Sequence, residues 1–165
     1  MPSDPCSGEA GADSETEEEA MRILVATDGS EGGREAVHQA VDLARELDAE
    51  LVVVAVEHLA SATYALPPYS VADTSSHEIA EAAVREAVEA ARDARVPARG
   101  QVLPVGEIAG QIVDAARDVD AGLIVVGSRG HGAVLGTLLG SVSRGVVRRA
   151  DRPVLVAKAR VPVAA

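Results

Sequence analysis

The chain has 165 residues, of which 26 are acidic and 15 are basic, and its formal net charge is -11. This balance, without a basic stripe, argues against DNA or RNA binding, which draws much of its affinity from Lys and Arg neutralising phosphates. With two Tyr and no Phe or Trp, the chain also lacks an aromatic platform for stacking single strands. We expect no nucleic-acid partner.

Targeting and redox signals are weak. Cys6 is the single cysteine, which excludes an internal disulfide and a cysteine-based zinc site and fits a reducing cytoplasm. The first twenty residues have neither the positive n-region nor the apolar h-region of a Sec-type signal peptide. No apolar run approaches the roughly 18 residues that a membrane-spanning helix needs. We therefore expect a cytoplasmic protein with no membrane partner.

Charge divides the chain into an acidic tail and a nearly balanced domain. Residues 1–20 contain seven acidic residues and no Lys or Arg, whereas residues 21–165 contain 19 acidic and 15 basic residues. We predict a disordered acidic tail over 1–20, one domain over 21–160 and a C-terminal tail over 161–165. The tail is interpreted as a solubilising extension or as residues upstream of the true start, with a partner-docking segment as the alternative.

Short apolar runs alternate with amphipathic helical patterns from Met21 onward. The runs are almost continuously Val, Ile and Leu, which predicts strands buried on both faces. Apolar stripes at helical spacing separate them. In chain order the predicted strands are 22–26, 51–56, 101–105, 123–126 and 153–156, and the predicted helices cover 36–47, 79–91, 108–119 and 141–149.

Two local features refine this prediction. Ser75-Ser76-His77-Glu78 has the S-x-x-E form of a capping box, which predicts that the second helix begins there. Residues 58–74 form the one long connection, which we interpret either as a variable surface loop or as a lid over a ligand.

The predicted β-α-β-α-β-α-β-α-β order indicates a doubly wound α/β fold, an open parallel sheet with helices on both faces. Such sheets bind ligands beyond the carboxyl ends of the strands, at the point where the strand order reverses. Candidate site residues are therefore those that directly follow each strand.

The first strand continues into Thr27, Asp28, Gly29 and Ser30. Asp28 and Gly29 suit a tight turn, and Ser30 suits the N-cap of the next helix. Asp28 has a second interpretation, because a carboxylate at a strand end can accept ligand hydrogen bonds or help to hold a phosphate-bound cation.

A glycine-rich segment follows the fourth strand and continues to the start of the last helix. Its glycines allow close backbone approach, and unpaired N–H groups at the helix start, together with the helix dipole, bind anions. This predicts a phosphate site, to which the Ser141 and Ser143 hydroxyls add donors. The candidate residues are Gly127, Ser128, Arg129, Gly130, His131, Gly132, Gly140, Ser141, Val142 and Ser143.

Other phosphate loops fit poorly. A Walker A loop needs G-x4-G-K-S/T, but the only lysine is Lys158. The loose glycine pattern over 130–136 follows the fourth strand rather than the first, and no acidic residue ends a following strand to grip a ribose. Residues 28–33 contain the residue types of an ATP pyrophosphatase loop, but in the wrong order.

A longer pattern does match: Gly127, two residues, Gly130, nine residues, then Gly140-Ser141. With the opening segment 21–30, the loop 125–132 and the closing segment 152–156, this G-x2-G-x9-G-S/T spacing resembles the ATP-binding branch of the universal stress protein family. The resemblance implies a five-stranded sheet in the order 3-2-1-4-5, with the switch point between strands 1 and 4.

The resemblance also implies a site for ATP, AMP or ADP, with Mg²⁺ entering with the nucleotide. Thr27 and Asp28 would lie by the nucleotide, Asp28 reaching Mg²⁺ indirectly, and the backbone at Val56 would contact adenine. Residues 127–132 would wrap ribose and phosphates, and residues 140–143 would hold the phosphates. With no lysine nearby, positive charge would come from Arg129, His131 or the cation.

Association is expected through the last strand. Val154, Leu155 and Val156 would form an apolar edge, which aggregates unless it is covered. Universal stress proteins commonly pair this strand across a two-fold axis, so the resemblance implies a homodimer.

No catalytic residue is predicted. The chain has no G-x-S-x-G elbow or Ser/His/Asp order, and His38, His58, His77 and His131 lack a metal-binding spacing. We interpret His38 as a helix-surface residue, His58 and His77 as solvated, and His131 as either a phosphate contact or an exposed loop residue.

The leading hypothesis for the function is a nucleotide-dependent switch or sensor in stress response. The alternatives are a slow Mg-dependent ATPase at the same site and an NAD(P)-binding oxidoreductase.

Overall fold

The computed structural model describes residues 20–57, 70–128 and 139–158, with side chains of the second range described from Ser76 onward. Strands and helices alternate throughout. The elements are β1 (Arg22–Ala26), α1 (Glu31–Glu46), β2 (Glu50–Val56), α2 (Ser70–Asp93), β3 (Ala98–Leu103), α3 (Ile108–Asp118), β4 (Leu123–Gly127), α4 (Ser141–Arg149) and β5 (Val154–Ala157).

The strands form one sheet in the order β3-β2-β1-β4-β5, with every neighbouring pair parallel. This confirms the predicted doubly wound fold and its strand order. Ala26 at the end of β1 pairs with Val54 on one side and Val126 on the other. The carboxyl ends of the three central strands therefore lie at the same edge.

Alternate residues of the central strands face two separate cores. Ile23 and Val25 pack with α1 and α2 on one face, whereas Leu24 packs with α3 and α4 on the other. All three side chains are fully buried. The apolar runs of the sequence follow from this arrangement, because a strand covered on both faces has no position for a polar side chain.

The first three helices end in the same way. Asp48, Arg95 and Asp120 have positive φ angles of 50°, 62° and 48°. The residue after each donates its N–H back to a helix carbonyl: Ala49 to Ala44, Val96 to Ala91 and Ala121 to Ala116. Each helix thus closes in a left-handed cap without the glycine that usually occupies this position, so the sequence carried no stop signal there.

Two predictions of local structure are wrong. The helix α2 begins at Ser70, so Ser75-Ser76-His77-Glu78 lies inside it rather than at its start. A capping box is worth about 1 kcal/mol, and a preceding turn of helix satisfies the same N–H groups equally well. The long connection is correspondingly shorter than predicted, and residues 58–69, where a lid would lie, are outside the described residues.

The third strand lies earlier than predicted and is not buried on both faces. It covers Ala98–Leu103, and Arg99, Gly100 and Gln101 are exposed. Its place at the edge of the sheet leaves these residues in solvent. Pro104 follows the strand and has no N–H with which to continue the ladder.

Within the described parts of the chain, no helix is both long and apolar enough to cross a membrane.

Two isoleucines on helices test the core assignment. Ile112 on α3 is 2% exposed and Ile79 on α2 is 61% exposed. Ile112→Ala should lower the free energy of unfolding by about 2–5 kcal/mol through lost burial and a cavity. Ile79→Ala should change it by less than about 0.5 kcal/mol. Urea denaturation measures both values, and equal losses would contradict the assignment of α3 to the core.

Candidate functional site

The turn after β1 is held by its own side chains. The backbone N–H of buried Thr27 donates to Val54 at 3.0 Å, and its Oγ1 accepts from the Gly29 N–H at 3.2 Å. Gly29 has a φ of 74°, a conformation that favours glycine. The conformation of the turn therefore depends on the Thr27 hydroxyl, which accepts the Gly29 N–H, and on the positive φ angle of Gly29.

Asp28 and Ser30 join this turn to α1. Asp28 Oδ1 accepts from the Ser30 N–H at 3.0 Å and from its hydroxyl. Ser30 Oγ in turn accepts from the Gly33 N–H at 3.1 Å, which confirms Ser30 as the N-cap. The turn interpretation of Asp28 therefore holds for Oδ1, and the carboxylate is fixed at the exposed strand edge.

The segments before and after the glycine-rich loop are held together. The Ser128 N–H donates to Ala157 of β5 at 2.7 Å, and the Gly140 N–H donates to Ser128 at 2.8 Å. The Ser143 hydroxyl donates to the Gly127 carbonyl at 2.6 Å. These contacts place the N-terminus of α4 directly over the end of β4.

The contact of Ser143 corrects one prediction. Its side chain is buried, with 4% exposed, and its single hydroxyl hydrogen is engaged by Gly127. The hydroxyl therefore acts as a brace for the loop ends and is not a donor for an anion. The exposed Ser141 hydroxyl lies one residue inside the helix.

The N-terminus of α4 has no side-chain cap. Gly140 occupies the N-cap position with extended backbone angles and no capping hydrogen bond. No acceptor among the described residues takes the N–H groups of Ser141, Val142 or Ser143. Three N–H groups and the positive end of the helix dipole therefore meet at this point, an arrangement that favours an anion.

The two halves of the site lie on adjacent strands. Ala26 and Val126 pair directly, so Thr27 and Asp28 extend beyond one strand while Gly127 and Ser128 extend beyond its neighbour. Here the chain turns toward α1 on one face and toward α4 on the other, as expected for a ligand crevice at a switch point.

Val56 lies on the other side of β1. Because Ala26 pairs with Val54, Val56 extends two residues further along the same edge. Its neighbour Glu57 donates its backbone N–H to Leu103 at 2.9 Å. Arg129, Gly130, His131 and Gly132, which would complete the site, lie outside the described residues, as does His58.

His77 is not simply solvated, as the sequence suggested. It is exposed, but Nδ1 lies 2.6 Å from Glu57 Oε1 and Nε2 lies 3.1 Å from Glu81 Oε1. The hydrogen bond to Glu57, with the charge of both carboxylates, raises the pKa of His77 against an opposing effect of partial burial. His38 is exposed on α1, as predicted.

Sequence reasoning missed Glu57. Glu81 follows His77 by four residues on one helix, a spacing that brings side chains together. Glu57 lies twenty residues before His77, and the two meet only because α2 lies beside the end of β2.

No group of three or more His, Cys, Asp or Glu side chains able to hold a metal occurs in the described ranges.

A parallel sheet of this order, with the uncapped N-terminus of α4 beside the β1/β4 switch point, defines a doubly wound α/β domain. The match to the universal stress protein family model over residues 19–158 shows that the chain belongs to that family.

Curated relatives agree along most of their length. Universal stress protein MJ0531 of Methanocaldococcus jannaschii is 34% identical over 143 residues, 83% of this chain and 81% of the relative. Universal stress protein YxiE of Bacillus subtilis is 33% identical over 148 residues, 83% of this chain and 98% of the relative.

Solved structures share the fold. A universal stress protein crystallised in complex with cAMP is 27% identical, with a TM-score of 0.65 over 86% of this chain and 98% of that one. The universal stress protein of Archaeoglobus fulgidus in complex with dAMP is 26% identical, with a TM-score of 0.60 over 82% of this chain and 96% of that one.

Two glycines at the same helical position test the packing of the β1–α1 turn. A Cβ on Gly33 would lie 2.7 Å from Asp28 Oδ1 and 2.8 Å from Thr27 Oγ1. Gly33→Ala should therefore lower the free energy of unfolding by about 1–3 kcal/mol, although Ala is the better helix former. Urea denaturation measures the loss.

The matched control is Gly110→Ala in α3, where the glycine N–H is likewise capped three residues back, by Glu107. A Cβ there meets the carboxylate end of Glu107, an exposed side chain that can move. This variant should be neutral or more stable by up to about 1 kcal/mol. A Gly33→Ala protein as stable as Gly110→Ala would show that the turn is loosely packed.

Proposed function

We propose that this protein is an adenine-nucleotide-binding member of its family, of the ATP-binding branch, and acts as a nucleotide-dependent switch or sensor in stress response. The observation that carries the proposal is the uncapped N-terminus of α4, whose N–H groups meet beside the end of β1. The relatives in complex with cAMP and dAMP support it, since both ligands combine adenine with a phosphate.

The ligand would lie along the carboxyl edge of β2, β1 and β4. The phosphates would bind the backbone N–H groups of Ser141, Val142 and Ser143, together with the Ser141 hydroxyl and residues 127–132. The base would reach the backbone at Val56. This order follows the strand order, because Val56 and α4 lie on opposite sides of β1.

Thr27 and Asp28 would lie between these two ends. Asp28 would hold Mg²⁺ indirectly, through the nucleotide, because Mg²⁺ in nucleotide sites is often bound by one carboxylate, phosphate oxygens and water. The hydrogen bonds from Ser30 already orient this carboxylate. Arg129 and His131 are further candidates for phosphate contacts.

Binding without turnover is the function we favour over a slow ATPase. Phosphoryl transfer needs a group that orients the attacking water as well as metal and charge, and no sequence motif marks a residue for that role. With Mg²⁺-ATP, phosphate release should stay below about 1 per second, the lower end of typical enzyme turnover. Sustained faster release would establish the ATPase instead.

The most direct experiment is mass spectrometry of the purified protein, first native and then denatured. The native mass would exceed that of the protein by one adenine nucleotide per chain, and denaturation would release ATP, ADP or AMP. Titration calorimetry with ATP, AMP and NAD then shows which of the three the protein binds most tightly. Binding of NAD without ATP would support the oxidoreductase and overturn the proposal.

Gly140→Val tests the phosphate site. A side chain at the N-cap would block the approach to the α4 N–H groups, and losing two such bonds, each worth about 1.5–3 kcal/mol, weakens binding at least about a hundredfold. Ser141→Ala keeps every N–H and removes only a hydroxyl, so it should weaken binding about two- to tenfold. Calorimetry measures both affinities.

Unfolding curves without nucleotide serve as the folding control, since Val is a poorer N-cap than Gly. A folded Gly140→Val protein with unchanged affinity would remove α4 from the site.

We also propose a homodimer through β5. Val154, Leu155 and Val156 are half-buried in the single chain and lie in an edge strand, so a second copy would cover them and pair their free backbone edge. Light scattering at tens of micromolar should give twice the chain mass. A monomer at that concentration would contradict the proposal.

A further inference from the structure

Three side chains connect the end of β2 to α2. Glu57 directly follows Val56, and its carboxylate lies 2.6 Å from His77 Nδ1, while Glu81 lies 3.1 Å from Nε2. We name this group of Glu57, His77 and Glu81 the His77 bridge. One member of the bridge precedes residues 58–69 in the chain and the other two follow them.

The bridge depends on the charge state of the imidazole. Imidazolium donates from both ring nitrogens, whereas neutral imidazole has one donor and one acceptor. Both ring nitrogens face carboxylate oxygens, so the neutral ring would set a lone pair against an anion. The contact geometry therefore requires the proton.

The two carboxylates are the charged groups that govern this proton. The pKa of His77 is raised first by the hydrogen bond to Glu57, with charge contributions from Glu81 and Glu57. Other charged groups on elements packed against α2 have their own partners: Arg34 of α1 contacts Glu86 further along α2, and Arg99 of β3 contacts Glu50 at the start of β2.

The position of the bridge connects it to the nucleotide site. The backbone of Glu57 is fixed on one side by its N–H bond to Leu103, and its side chain is fixed by His77. Since seven residues of α2 precede His77, its first two turns extend about 10 Å along the helix from the bridge. One proton thus holds the end of β2 against α2 at His77, about two turns after the start of the helix.

We propose that His77 is a positioning residue for the nucleotide site, whose protonation locks the end of β2 against α2 and so strengthens adenine-nucleotide binding as the pH falls. The inference rests on the proposed function, because the lock acts on the backbone that would contact the base. It acts by preorganisation: a site already held in its binding conformation loses less entropy when the ligand binds.

The direction of the effect follows from the pKa shift. A raised pKa in the folded protein means that the bridge contributes fully below the ordinary histidine value of about 6.5 and is lost as the pH rises through the folded value. Affinity should therefore be higher at pH 6 than at pH 8, by about two- to fourfold, the range of an exposed ion pair.

The experiment compares AMP affinity at pH 6 and pH 8 by calorimetry for the full chain and its variants. His77→Gln cannot be charged, so the ratio of the two affinities should fall about two- to fourfold relative to wild type. The comparison cancels the titration of the AMP phosphate itself. His38→Gln, at an exposed histidine on the neighbouring helix α1, should keep the wild-type ratio.

Two carboxylate variants distinguish the contact between β2 and α2 from a contact within α2. Glu57→Gln removes the charged partner that follows β2 and should abolish the part of the pH dependence of AMP affinity that depends on His77. Glu81→Gln keeps the contact between Glu57 and His77 and should keep most of that pH dependence. NMR titration of the His77 ring, assigned by its absence in His77→Gln, should show a pKa that falls in Glu57→Gln.

Each outcome decides one of the two proposals. AMP binding with the same pH ratio in wild type and His77→Gln would overturn the role of His77 and leave the proposed function standing. A wild-type ratio in Glu57→Gln would likewise overturn it. No binding of AMP or ATP at either pH would overturn the proposed function itself.

Discussion

Burial of β1 on both faces and along both edges is the constraint on which the rest of the structure depends. Ile23 and Val25 face one core, Leu24 faces the other, and the backbone is paired with β2 and β4. The three central residues leave no solvent-facing position, and the one polar side chain of the strand, Arg22, lies at its amino end beside Glu50. At the carboxyl edge, polar side chains therefore lie beyond the end of the strand. Thr27 and Asp28 occupy that place, beside Gly127 and Ser128.

Backbone groups would allow an acidic protein to form the proposed anion site. The chain carries a net charge of -11, but the N–H groups at the start of α4 do not enter a charge count, and their field is strong only within the first turn. Side chains mostly brace this arrangement: Ser143 holds Gly127, and Ser30 holds Asp28. In the proposed site, backbone geometry would take the role that lysines have in a Walker loop.

The sequence predicted structural roles correctly where the contact is local and a residue type signals it. Ser30 was readable as an N-cap, because its acceptor and the Gly33 donor are three residues apart. The helix ends at Asp48, Arg95 and Asp120 were not readable, because left-handed residues there are neither glycine nor asparagine. Ser143 was assigned to a ligand because nothing local indicated that Gly127 would take its hydroxyl. The glycine spacing predicted where the site would lie, and its residues, Arg129 to Gly132 included, stay a prediction.

By itself the sequence determined the alternation of strands and helices, the doubly wound class and the positions after the strands where a ligand site would lie. These depend on periodicity and on contacts a few residues long. Only the tertiary structure decided that β3 is an exposed edge, that α2 begins at Ser70, and that Glu57 meets His77. Each of these depends on which strand lies at the border of the sheet or on which helix lies beside which strand end. Such neighbours are set by packing of the whole chain and leave no mark in a local pattern.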